Sequence, residues 1–231
     1  MESWFSDTKP ITSLETEVCF LLQEEFYYGP DTHSDIESLR FIEPLTLPDI
    51  PRKEPSMLRT QELIGHEEQL ATYYKQIVQI GRRSQKPFSA ISHYFWLRFW
   101  IWNSADQIYI PFPWYDTFSE IDRLLTSISD TQSGEVYYDR DQSWELEIQA
   151  HDDILYFRLR DPDDDEDHVL VSVARPALLS QIEPLRENTV QIINRLAAFL
   201  GADVWTQRVA APSFYVQTPS LGKKRPGWKF W

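Results

Sequence analysis

Over residues 92–103 the chain alternates without turning polar on either side. One face carries Phe95, Leu97, Phe99 and Ile101, and the other carries Tyr94, Trp96, Arg98, Trp100 and Trp102. A strand that is apolar on both faces is central in its sheet or has other structure laid over it. The segment therefore asks for a layered protein in which helices or a second sheet cover the first.

The surrounding patterns supply those layers. Residues 58–79 place Leu63, Leu70, Tyr74, Ile77 and Val78 at helical spacing, which predicts an amphipathic helix. After the strand of residues 92–103, a turn at residues 104–106 leads to Ile108, Tyr109 and Ile110. Pro111 and Pro113 follow, and then a helical pattern at Phe118, Ile121, Leu124, Leu125 and Ile128. The C-terminal half repeats this order with alternating strands at residues 144–149, 154–160 and 168–174. A helix opened by Pro176 follows, striped by Leu178, Leu179, Ile182, Leu185, Val190, Ile193, Leu196, Ala197 and Leu200. Gly201 is placed to cap it, and Pro184 should kink or restart it, since an interior proline costs about 3 kcal/mol. The expected fold is α+β: an antiparallel sheet with flanking helices, built from two strand–strand–helix units packed into one sheet.

Ahead of this core lies a different composition. The first 57 residues hold twelve Asp or Glu against four Lys or Arg, and Pro44, Pro48, Pro51 and Pro55 argue against a continuous helix or a central strand there. Three regions are expected: an acidic, Pro-rich arm at 1–57, an α+β core at 58–207, and a basic, aromatic tail at 208–231. The arm reads as a linker or a wrapping segment, and within it the pattern of residues 15–28 fits a short helix or a strand without deciding between them.

With 42% hydrophobic and 14% aromatic residues, nine of them Trp, the 231-residue chain is rich enough in rings to set it apart from acidic disordered sequences despite its net charge of -14. Cys19 is the sole cysteine, so no intrachain disulfide forms. The acidic start lacks the basic and apolar regions of a secretory signal, and no apolar run approaches the roughly 20 residues that span a bilayer. A cytoplasmic protein without membrane contact is expected.

No catalytic motif survives inspection. His66-Glu67-Glu68-Gln69-Leu70 begins like a zinc-protease helix, but Leu occupies the position of the second histidine. The acidic run Asp161, Asp163, Asp164, Asp165, Glu166 and Asp167 places Glu166 and Ser172 where a calcium loop needs Gly and a bidentate Glu. It sits between two strands, as a hairpin turn or an acidic protein-binding tip. The seven glycines form no phosphate loop, Cys19 lies among apolar neighbours as a buried thiol would, and Glu145 and Glu147 alternate with Leu146 and Ile148 like the wet side of a strand. The sequence thus points to no enzyme, no cofactor and no metal.

Binding features remain. The face with Trp96, Arg98, Trp100 and Trp102 has the residue types enriched in protein–protein hot spots, whereas a single-strand nucleic-acid platform would need a more positive groove. After Asp203 no acidic residue occurs, and the chain closes with Arg225, Trp228 and Trp231 among lysines. That tail is suited to docking through cation and aromatic contacts. The expected partner is another protein with a basic surface, steered by the negative charge; nucleic acid is not expected.

Residues 144–206 contain W-E-L-E-I, the R-L-R-D-P-D hairpin, the A-R-P helix start and the L-G-A-D-V-W-T ending. This segment resembles bacterial immunity proteins that neutralise polymorphic toxins. The resemblance implies an acidic α+β protein that caps a toxin's active site; it assigns no individual binding residue. The element order also looks like that of acidic secretion chaperones, and a structural subunit of a larger complex is a third reading.

Overall fold

The computed structural model describes residues 3–29, 41–112, 117–141, 144–163, 167–206 and 212–215. In chain order the strands are β1 (Lys9–Ile11), β2 (Glu15–Leu21), β3 (Glu25–Tyr27), β4 (Ile42–Pro44), β5 (Met57–Arg59), β6 (Leu97–Asn103), β7 (Ile108–Pro111), β8 (Gly134–Asp141), β9 (Trp144–His151), β10 (Ile154–Arg160) and β11 (Asp167–Ala174). The long helices are α1 (Glu67–Arg83), α2 (Phe118–Asp130) and α3 (Arg175–Leu200). Helices and antiparallel sheets make this an α+β fold.

Two principal sheets form, in the orders β1-β11-β10-β9-β8 and β5-β2-β6-β7, with β3 and β4 as a separate ribbon. The two strand–strand–helix blocks therefore lie in different sheets, which corrects the single-sheet expectation. Among the described residues every pairing is antiparallel except that of β1 with β11, where Ile11 lies opposite Val173 in parallel register.

Alternation decides what each sheet buries. Leu146, Ile148, Leu155, Phe157, Val171 and Val173 point inward from the larger sheet, and Val18, Phe20, Leu97, Phe99, Ile101 and Ile110 from the smaller. The two sets join one continuous core with residues of α1, α2 and α3. Helix α3 packs against α1, α2 and β2, and its buried stripe runs through Leu178, Ile182, Leu185, Ile193 and Leu196. Val190, expected in that stripe, is 40% exposed. Pro184 does not restart the helix, and Gly201 ends it at φ 84°, with its N–H donating to the Ala197 carbonyl at 2.7 Å.

Residues 9–27 are not a separable arm. β2 lies between β5 and β6 in its sheet, and Val18 and Phe20 are wholly buried. The strand-breaking prolines all lie beyond it, in β4 and the wrapping segment that follows. The helix expected from residue 58 begins later, because Met57–Arg59 pair with β2 as an edge strand before the single helical turn Thr60–Leu63. Likewise β6 begins at Leu97: Tyr94 lies in a short 3-10 turn, Ser92–Phe95, where its hydroxyl accepts the Tyr27 N–H at 2.9 Å.

Both chain ends are tied down where they are described. Trp4 and Phe5 lie over the outer side of the larger sheet, with Phe5 stacked on Tyr156 at 4.2 Å between ring centroids. Near the other end, the Tyr215 hydroxyl donates to the Lys86 carbonyl at 2.7 Å and its ring meets Phe88. Among the described residues, no helix is long and apolar enough to cross a membrane.

Candidate functional site

The outer face of the smaller sheet is organised in cross-strand rows. Arg59, Cys19 and Arg98 form one row; Glu17, Trp100 and Pro111 the next; Glu15, Trp102 and Tyr109 a third. The sheet's pairing thus interleaves aromatic rings with guanidinium groups. Arg98 lies over Trp100 at 5.0 Å from the ring centroid, and Arg59 over Trp102 at 4.7 Å. Cation–π contacts at this separation are worth roughly 0.5–1 kcal/mol when exposed and more when desolvated, and they hold four flexible side chains as one surface.

Burial sets the electrostatics of this face. Glu17 is 2% exposed, and burial pushes its carboxyl above the ordinary range even though the Thr60 hydroxyl, the Thr60 N–H at 3.3 Å and the Val18 N–H at 3.0 Å all donate to it. Burial also pushes the Cys19 thiol up, so it stays protonated and unreactive. The Arg98 guanidinium is pulled down by its own desolvation, while its Nε donates to the Phe112 carbonyl at 3.3 Å.

Between these rows and the wrapping segment at residues 53–57 lies an open depression of about 70 Å³, lined by Lys53, Arg59, Trp100, Trp102, Ser104 and Tyr109 together with Cys19, Glu54 and Met57. It is smaller than a small-molecule pocket and suits the end of one inserted side chain. Tyr109 stands 53% exposed at its edge, and the Trp100 indole N–H is buried without a hydrogen-bond partner.

Three of the four expected aromatic-face residues meet here. Arg98, Trp100 and Trp102 share the face, whereas Trp96 precedes the strand and its carbonyl accepts the Leu21 N–H at 3.4 Å. Sequence reading missed Lys53, Arg59 and Tyr109, which reach the site only through strand pairing and the wrap of residues 53–57. A weak signal existed for Tyr109, the outward residue of the Ile108-Tyr109-Ile110 alternation.

The acidic run lies between the antiparallel strands β10 and β11, and at its start the Asp163 N–H donates to the Asp161 carboxylate at 2.9 Å. Asp167 is already paired with Arg158 at 2.8 Å, which reduces the charge the tip can offer. Asp164, Asp165 and Glu166, and the tail residues Arg225, Trp228 and Trp231, lie outside the described residues. Glu145, expected on the wet side of its strand, is instead 3% exposed. Arg160 from β10 donates to it at 2.6 Å and Arg140 from β8 approaches at 3.7 Å, so the two long side chains cover the carboxylate they neutralise. Glu147 is half-buried beside it.

Family models, curated proteins and solved structures were all compared with the chain, and none matches it.

Proposed function

We propose that the protein is a non-enzymatic binding protein of the immunity type, which occludes a partner enzyme with the outer face of its smaller sheet. The Arg98–Trp100 and Arg59–Trp102 pairs beside the exposed Tyr109 carry this reading. Trp, Tyr and Arg around a desolvated centre are the composition in which binding energy concentrates. The net charge of -14 supports a partner that is basic at its periphery, since complementary fields raise association rates. The acidic turn around Asp161 and Asp163 supplies part of that field, and the reading needs neither a cofactor nor a metal.

The test begins with co-purification from the native cell and identification of the stoichiometric partner. Trp100→Ala and Tyr109→Ala should each weaken that complex at least about tenfold, a loss of about 1.4 kcal/mol, and relieve inhibition of the partner's activity in proportion. Wild-type affinity in both variants would remove the face from the interface. A partner kept soluble but not inhibited would favour the chaperone reading over the immunity one.

A further inference from the structure

The depression on this face is unbalanced in its hydrogen-bonding chemistry. Among the described residues no carboxylate lies within salt-bridge distance of the Lys53 ammonium or the Arg59 guanidinium, and the Ser104 and Tyr109 hydroxyls have no hydrogen-bond partner. With the Trp100 indole N–H also unmatched, the lining offers donors from five side chains. Lys, Arg and Trp donate only, so Lys53, Arg59 and the Trp100 indole cannot satisfy one another. Glu54 is the sole carboxylate among the lining residues; nearby, Glu62 accepts from the Lys53 and Arg59 backbone N–H groups at 2.8 and 2.9 Å rather than from their side-chain cations, and Glu17 Oε1 accepts from Thr60 and Val18.

A donor-rich aromatic surface whose two side-chain cations stand outside any ion pair fits an acceptor that is anionic and attached to something apolar. We infer that the depression receives a carboxylate borne by a protein segment: an Asp or Glu side chain of the partner meets Lys53 and Arg59, while an adjoining apolar side chain lies against Trp100, Trp102 and Tyr109. Charge-assisted hydrogen bonds to a carboxylate are about twice as strong as neutral ones, and the arginine fork suits its two oxygens. A second copy of this chain is disfavoured as the occupant, because each brings a net charge of -14. The inference rests on the face being the contact surface and adds the chemistry of what enters it.

The probe is a library of random twelve-residue peptides displayed on phage, selected against the full-length protein. Selection should enrich peptides in which Asp or Glu neighbours an apolar residue. Their affinity should fall at least tenfold on Lys53→Gln combined with Arg59→Gln, and again on Trp100→Ala. Lys53 is exposed, so Lys53→Gln alone, with a several-fold loss, keeps the test sound if Arg59→Gln disturbs the edge strand. Enrichment of neutral or basic peptides that still require Trp100 would overturn the carboxylate and leave the binding face standing. Peptides indifferent to Trp100→Ala, or no enrichment at all, would overturn both. A single-stranded oligothymidylate that displaces the selected peptides would overturn the assignment to a protein segment.

Discussion

Glu17 and Glu67 are both buried acids on elements that meet through side chains, yet they are held in opposite ways. Glu17 has only neutral donors, from Val18 and Thr60, and burial raises its pKa. A carboxyl raised in the folded state binds its proton more tightly there than in the unfolded chain. Its stabilising contribution is full below the ordinary carboxylate range and declines as pH climbs through the raised value. Denaturant titrations across pH 4 to 8 should therefore show a decline that Glu17→Gln removes, and the wild-type minus variant difference isolates this group from other acids. Glu67, 5% exposed, instead receives the Arg195 guanidinium at 2.6 Å across α1 and α3. Arg195→Ala leaves that buried carboxylate short of its donor, and should cost about 1–3 kcal/mol in chemical denaturation. The burial of these acids was not visible in sequence. Glu67 sat inside a failed zinc motif and Glu145 in a strand alternation, and their covering arginines come from other elements, as the Thr60 that donates to Glu17 does, so local pattern holds no trace of the burial.

The helices were far easier to read than the strands, and the reason is the range of the contacts. The apolar spacing of α2 and α3 lies within each segment, and the Gly201 cap is written directly after its helix. Gly201 has φ 84° and no atom near an added Cβ, so Gly201→Ala is opposed by backbone conformation alone and should cost about 1 kcal/mol in thermal unfolding. Gly81 is different. A Cβ there would stand 2.6 Å from the Tyr215 hydroxyl and 3.1 Å from Ile91. Gly81→Ala should push the Ser213–Tyr215 turn off α1, read as faster proteolysis at the C-terminal end with the core intact. By contrast β2 gains its place from β5 and β6, each distant in sequence, and its own pattern leaves helix and strand undecided within what reads as an acidic arm. β8 was missed because an edge strand can carry Glu135, Asp139 and Arg140 without cost. The face that we propose for binding was half legible: Arg98, Trp100 and Trp102 alternate along one strand, but the residues that make it a depression arrive through long-range pairing.

Across the whole molecule the negative charge and the candidate face are separate properties. The charge acts at a distance and is screened beyond about 8 Å at physiological salt, whereas the Arg–Trp pairs act only on contact. Neutralising Asp163, Asp164, Asp165 and Glu166 to their amides should slow association with the partner and flatten its dependence on salt, with little change in dissociation, as stopped-flow measurements would show. Trp100→Ala should do the reverse and speed dissociation. The parallel pairing of β1 with β11 adds a constraint of another kind. Lys9 of β1 lies opposite Val171 of β11, and closing so long a loop has an entropic cost that no local contact offsets. Until residues 171–173 are made, the edge that β1 will join does not exist. A chain cut before β11 would leave β1 without its partner and β10 without one of its two neighbours, whereas the smaller sheet draws on nothing beyond residue 111, so the larger sheet is the later of the two to be completed as the chain lengthens.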